Sequence, residues 1–89
     1  MIVIDAAKRS SLLAESGRIW RDSELSKVLW MRERHRDQQE IGAATTLSGE
    51  QFSELLAYMQ NLRDWPQSPD FPSVEHRPAE PAWIAEQSQ

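Results

Sequence analysis

The clearest pattern of apolar positions lies between residues 47 and 66 and predicts an amphipathic helix. Ser48 and Gln51 form a capping box, and Leu47 and Phe52 form a hydrophobic staple around the same turn. Apolar residues then recur at helical spacing on one face: Phe52, Leu55, Leu56, Met59 and Leu62. A proline at position 66 ends the helix and favours an extended conformation at the residue before it.

A second helical pattern runs from about residue 22 to residue 40, and its apolar stripe occupies only the first half. That stripe consists of Leu25, Val28 and Leu29. Residues 32–40 are almost wholly polar, and Arg36 is spaced to pair with Glu33 and Glu40. We therefore expect this half to reach into solvent. The short connection to the next helix favours antiparallel packing of the two apolar stripes.

A first helix is predicted ahead of this pattern. Asp5 is a good N-cap and Gly17 a good C-terminal stop, although the helix can also run on into the next one. Residues 2–4 are apolar and fit either a short strand or a sticky terminus. The predicted fold is therefore all-α, either a helical hairpin or a three-helix unit, with an extended C-terminal arm.

The arm is punctuated by five prolines between Pro66 and Pro81, which favours extended or polyproline II backbone. We expect a helical domain at residues 1–66 and an extended, proline-rich arm at residues 67–89, whose removal leaves the helices folded. Trp65 and Trp83 flank the arm. They either fold it back onto the helices or present it to a partner, and the two roles do not exclude one another.

Composition narrows the classes of function. The net charge is −4 and the pI about 5.1, which argues against nucleic acid as the main partner. The basic run at residues 32–36 is interleaved with acidic residues and fits a solvated helix. No apolar run is long enough to span a membrane, and no cysteine is present. So small a chain makes a homo-oligomer or a partner a reasonable expectation.

Catalytic and metal-binding chemistry finds no support in the sequence. His35 and His76 are expected to be solvent-exposed, and neither has converging ligand partners. Ser48 is already used as a helix cap, and the three glycines do not form a phosphate-binding loop. We therefore expect a protein that is not an enzyme and needs no cofactor or metal.

The same residues resemble the tail assembly chaperones of tailed bacteriophages. That family ends in a helix with a tyrosine, a leucine, an Arg-Asp pair and a proline, followed by a Gln-x-Pro-x-Phe-Pro-like segment. The matching positions here are Tyr58, Leu62, Arg63, Asp64, Pro66, Phe71 and Pro72. Upstream, residues 12–16 followed by Trp20 are similar to the family's Leu-Leu-Ala-Glu-x-Asp-Trp segment. The chain departs from the family at Met59, usually arginine, and at Arg77, often tryptophan.

The resemblance implies a small cytoplasmic helper in the host bacterium that binds an unassembled tail or tail-fibre protein and performs no covalent chemistry. An alternative is a prophage-encoded effector that inhibits a host protein, and another is a minor structural component of the tail. We expect the client-binding surface to be formed or braced by the aromatic residues of the arm and helix end: Trp65, Phe71, Trp83 and Tyr58. Arg63 and Asp64 are expected to fix where the arm leaves the helix more than to contact the client.

Overall fold

The computed structural model describes residues 5–88, so the expectation for residues 2–4 lies outside the described part. Two α-helices, α1 (Ala6–Glu40) and α2 (Gly49–Asp64), form a hairpin. Three short 3₁₀ turns follow: Trp65–Gln67, Val74–His76 and Ala82–Glu86. No strand occurs in residues 5–88, which confirms the all-α hairpin. The molecule is elongated, measuring 62 × 22 × 21 Å.

The chain forms one long helix, α1, where the sequence predicts two. Asp5 caps it by accepting a hydrogen bond from the backbone N–H of Lys8 at 2.8 Å. The predicted stop at Gly17 is wrong, and the run-on alternative is right. A glycine inside a helix lowers its stability by roughly 1 kcal/mol relative to alanine. Gly17 is nevertheless buried against the aromatic rings of Trp65 and Phe71. Because glycine has no side chain, these rings can pack closely on α1, and this packing outweighs the tendency of glycine to end a helix.

The hairpin loop is fixed by local chemistry. Gly42 takes a left-handed conformation with φ of +71°, which ends α1. The Gln38 amide then clamps the loop, because it accepts from the Thr46 backbone N–H and donates to the Thr46 hydroxyl, both at 3.0 Å. The predicted capping box of Ser48 and Gln51 is present at the start of α2. The loop therefore returns α2 along α1 in the antiparallel direction.

The core lies between the apolar faces of α1 and α2 and includes one residue of the arm. Its buried members are Val28, Met31, Leu47, Leu55, Tyr58, Met59, Leu62 and Ile84. Leu25 and Phe52 pack against this cluster. The predicted burial of Leu56 and Leu29 is wrong, since they are 37% and 39% exposed. Because α2 packs on a single helix, only a narrow stripe is covered, and both side chains lie outside it.

The polar half of α1 is not the half that reaches into solvent. His35, expected to be exposed, is 3% exposed and stacks on Phe52 with 3.9 Å between ring centroids. Arg36 makes no ion pair with Glu33 or Glu40 within 4.0 Å among the described residues. His35 is buried because α2 begins opposite this half and covers the face that carries it, whereas Glu33, Arg36, Asp37 and Glu40 stay exposed. The uncovered part of α1 is its N-terminal end, where residues 5–13 are all exposed.

The arm alternates extended residues with 3₁₀ turns and lies on the helices. The predicted extended conformation of Trp65 is wrong, since its φ and ψ of −52° and −45° are helical. Pro66 is accommodated because it stands in the first turn of a 3₁₀ helix, where no backbone donor is needed. Near the end of the arm, Ile84 is 6% exposed and belongs to the core. The arm thus shares the hydrophobic core of the hairpin.

Leu55→Ala tests this core. Leu55 is fully buried, so its truncation should lower the free energy of unfolding by about 2–5 kcal/mol. Leu56→Ala is the matched control, because its side chain is partly exposed and should cost about 1 kcal/mol or less. Urea unfolding followed by circular dichroism measures both. Equal losses for the two variants would contradict the packing described here.

Candidate protein-binding surface

Three aromatic rings meet where the arm leaves α2, and they fasten the arm to α1. Trp65, which is 4% exposed, makes edge-to-face contacts with Trp20 at 5.5 Å and with Phe71 at 4.8 Å between ring centroids. Gly17 forms the floor on α1. A Cβ atom there would lie 3.0 Å from Phe71 and 3.2 Å from Trp65. We call Gly17, Trp20, Trp65 and Phe71 the aromatic junction.

Two arginines cover the aromatic junction from either side. The Arg18 guanidinium lies 5.4 Å from the centroid of Phe71, and that of Arg77 lies 4.6 Å from the centroid of Trp20. Such cation–π contacts contribute about 0.5–1 kcal/mol each at exposed sites. Arg18 belongs to α1 and stands over an arm residue, whereas Arg77 belongs to the arm and stands over a residue of α1. The arm is therefore held to α1 from both directions.

Tyr58 joins α2 to α1 inside the hairpin. Its hydroxyl donates to the Glu24 carboxylate at 3.0 Å, and Glu24 also contacts the Lys27 ammonium at 3.4 Å. Burial, followed by the hydrogen bond to the negatively charged Glu24, raises the pKa of Tyr58 above its ordinary value. The phenol is therefore neutral over the whole physiological range, and it serves as a hydrogen-bond donor between α2 and α1.

Polar contacts hold the C-terminal part of the arm to both helices. The Trp83 indole N–H donates to the Glu54 carboxylate of α2 at 2.8 Å. Arg34 of α1 donates to the Gln87 side chain at 3.3 Å and stacks over the ring of Trp30. Together with the buried Ile84, these contacts place the arm across both helices.

A groove of about 280 Å³ opens between the end of α2 and the arm. It is lined by Asn61, Asp64, Trp65, Ser68, Asp70, His76 and Pro78. Asp64 and Asp70 make its wall acidic, and His76 lies 4.0 Å from the Asp70 carboxylate. The Trp65 indole N–H and the Ser68 hydroxyl are buried without a hydrogen-bond partner. The groove therefore presents carboxylate acceptors beside an indole donor, a hydroxyl and apolar surface.

A family model described as the phage tail assembly chaperone protein matches residues 14–82. The chain belongs to the phage tail assembly chaperone family. This confirms the resemblance drawn from the sequence motifs. No curated protein and no solved structure matches the chain. The matched region of the chaperone contains the hairpin, the aromatic junction and the groove, whereas most of the exposed N-terminal end of α1 precedes it.

The structure divides the six predicted binding residues of the chaperone into two groups. Tyr58 and Trp65 are buried, so they are placed to brace a surface. The others retain exposed area: Phe71 and Trp83 are partly buried, and Arg63 and Asp64 are exposed. Trp65 and Phe71 meet at the junction and Asp64 lines the groove beside them, but Trp83 contacts Glu54 elsewhere on α2.

Sequence reasoning missed several residues of this region of the chaperone. The sequence favours a helix stop at Gly17, although its position three residues before Trp20 places both on one face of a continuous helix. The sequence does not assign Asp70 and His76 to any site, because only the folding of the arm brings them beside Asp64.

Among residues 5–88, neither α-helix combines the length and the apolar character that a membrane span requires.

Gly17→Leu tests the aromatic junction. A leucine side chain would occupy the space of Phe71 and Trp65, so we expect a loss of about 1–3 kcal/mol of stability from overpacking. Faster hydrogen exchange is expected at the Phe71 amide, which donates to the Ser68 carbonyl. Ser16→Leu is the control, since it adds the same side chain at an exposed position one residue away. Unchanged exchange in Gly17→Leu would contradict the junction.

The raised pKa of Tyr58 predicts a loss of stability at high pH. In the unfolded chain the phenol ionises near pH 10, whereas the folded state holds the proton to higher pH. Stability is therefore complete below about pH 10 and falls as the pH rises further. Urea unfolding between about pH 8 and pH 11 should show a smaller loss in Tyr58→Phe than in the wild type. Identical losses would show that Tyr58 ionises equally in both states.

Proposed function

We propose that this chaperone family member binds an unassembled phage tail or tail-fibre protein and keeps it from associating prematurely. It acts in the host cytoplasm as a binding protein and performs no covalent chemistry. The family match supports the general role, and the observation that carries the binding proposal is the aromatic junction. The junction holds the arm against α1, so the surface around it is formed before a client arrives. Such a surface loses less conformational entropy on binding than a free peptide does.

The client-binding surface that we propose is centred on the arm side of the junction. Phe71 supplies exposed aromatic area there, and Trp83 supplies a second, separate area beside Glu54 of α2. Aromatic area is effective in binding because few torsions are ordered for the area buried. Arg63 and Asp64 stand at the last turn of α2 and are exposed. Asp64 accepts a hydrogen bond from the Gln60 side chain, and neither residue hydrogen-bonds to a described residue of the arm. That favours contact with a client over the expected role of fixing where the arm leaves α2. Trp65 acts from beneath by holding the ring of Phe71, and Tyr58 acts at a distance by joining α2 to α1 through Glu24.

The non-enzymatic character rests on the arrangement of the polar groups. The part-buried hydrogen bond of Tyr58 and the exposed hydrogen bonds of Gln38 connect elements of the fold, and each therefore has a structural use. Within residues 5–88, no group of three or more histidine, aspartate or glutamate side chains is placed to hold a metal ion. The carboxylates of the acidic groove could accept protons, but the groove itself is an open cleft between the end of α2 and the arm. Recognition is the chemistry that this surface supports best.

Co-expression with the tail proteins encoded beside it, followed by affinity capture and mass spectrometry, tests the proposal. The wild type should capture a tail or tail-fibre protein. A double variant, Arg63→Ala with Asp64→Ala, should weaken that complex about tenfold, since exposed charges at an interface contribute to it. Arg36→Ala with Asp37→Ala is the matched control, because it removes an exposed Arg-Asp pair from α1.

Three other outcomes would contradict the proposal. Capture of a host protein with no tail protein would indicate an effector that acts on the host. A fixed number of copies in purified virions would indicate a structural component of the tail. An equal loss of the complex in both double variants would show that the surface at the end of α2 has no special role.

A further inference from the structure

The groove between the end of α2 and the arm carries negative charge that the described residues leave unbalanced. Asp64 and Asp70 line it, and its described lining includes no lysine or arginine. In residues 5–88, neither carboxylate forms an ion pair with a lysine or an arginine within 4.0 Å, although Arg63 directly precedes Asp64. The imidazole of His76, 4.0 Å from Asp70, carries a charge only when it is protonated.

The position of Asp64 in α2 adds to this imbalance. Asp64 is the last residue of the helix, where the aligned peptide dipoles leave partial negative charge. A carboxylate at this end of a helix is unfavourable, whereas a cation is favourable. Its one hydrogen bond is accepted from the exposed Gln60 amide at 3.0 Å. The charge therefore has no stabilising role in the free protein, and it favours a bound cation.

The indole N–H of Trp65 is a second, independent feature of the groove that calls for an occupant. Trp65 is 4% exposed, and its N–H is buried without a partner among the described residues, as is the hydroxyl of Ser68, which also lines the groove. A Cβ atom on Gly17 would lie 3.2 Å from Cη2 and 3.3 Å from Cζ3 of the ring, so the benzene edge faces α1. The opposite edge, which carries the N–H, faces away from α1.

The dimensions and walls of the groove suit one side chain. Its volume of about 280 Å³ lies just below the range of about 300–1,000 Å³ that pockets for small molecules occupy. Pro78 and Trp65 supply apolar wall beside the two carboxylates. Lysine and arginine combine an apolar stem with a cationic end. A metal ion fits less well, because no three ligand side chains in residues 5–88 are placed to hold one.

We infer that the groove binds a lysine or arginine side chain of the client. The inference rests on the proposed function and specifies the chemistry of one contact in it. The cationic end meets the carboxylates of Asp64 and Asp70, and the apolar stem lies along Pro78. A backbone carbonyl of the same client segment accepts from the Trp65 N–H, which removes the penalty of an unpaired buried donor. The arm moves to admit this carbonyl, because the N–H is covered in the free protein.

The experiment uses the full-length protein and the tail protein that co-expression captures. Asp70→Asn removes the charge and keeps the shape of the side chain, so it should weaken the complex about fivefold to tenfold and reduce its dependence on salt. Asp37→Asn is the matched control, because it makes the same change at an exposed position of α1 that does not line the groove, and it should bind as the wild type does. Both variants should unfold in urea as the wild type does, since both carboxylates are exposed.

Short overlapping peptides that cover the captured protein identify the basic residue. The peptides whose binding falls in Asp70→Asn should contain lysine or arginine. Replacing that residue of the captured protein by alanine should cost little further affinity in Asp70→Asn, because the two changes remove one interaction. In NMR spectra of the peptide complex, the indole N–H signal of Trp65 should shift, whereas that of Trp30, which does not line the groove, should not.

Several results would overturn the inference. A captured tail protein that binds Asp70→Asn as tightly as the wild type rejects the groove and leaves the proposed function standing. Equal weakening in Asp70→Asn and Asp37→Asn would assign the effect to the net charge of the chain. Loss of self-association in Asp70→Asn, with unchanged client affinity, would assign the groove to a second copy. Failure to capture any tail protein would reject the proposed function and, with it, this contact.

Discussion

The close approach of the arm to α1 at Gly17 is the contact on which the rest of the structure depends. A side chain at this position would meet Phe71 and Trp65 at distances that real Cβ atoms rarely tolerate. The absence of a side chain lets Trp65 lie on α1, and the buried ring then fixes the direction of the chain after α2. The position of the groove and the exposed side of Phe71 follow from that direction.

The unequal lengths of the two α-helices explain the shape of the molecule. Helix α1 has 35 residues and α2 has 16, so α2 alone covers less than half of α1. The loop sets α2 opposite the polar end of α1, which buries His35 and Met31 there. The middle of α1 is covered by Trp65, just before the arm, and by Ile84 of the arm. A chain with so small a core gains from this third segment, because it buries apolar surface that two helices cannot cover.

The sequence predicts those features of the fold that depend on neighbours along the chain. The sequence predicts the cap at Ser48, the helix that follows it and the family motif, because each depends on residues a few positions apart. The burial of His35 does not follow from such neighbours, and they leave helical continuity at Gly17 as one of two alternatives, because each depends on residues far away in sequence. Helical periodicity identifies an apolar stripe without showing which partner covers it. The extent of the hairpin core could therefore be predicted only in part.

The same limit applies to the binding surface, where an aromatic side chain seen in sequence has two possible uses. Trp65 and Tyr58 have structural roles, since a ring that is almost fully buried has no area left to contact a partner. In the proposed complex, Trp65 would act indirectly, through Phe71, whose ring it contacts. Near the junction, the carboxylates of Asp64 and Asp70 line the groove, and the Arg18 guanidinium lies over Phe71. Charges of both signs around an apolar centre would favour a single orientation of the proposed client, because the reversed orientation would bring like charges together.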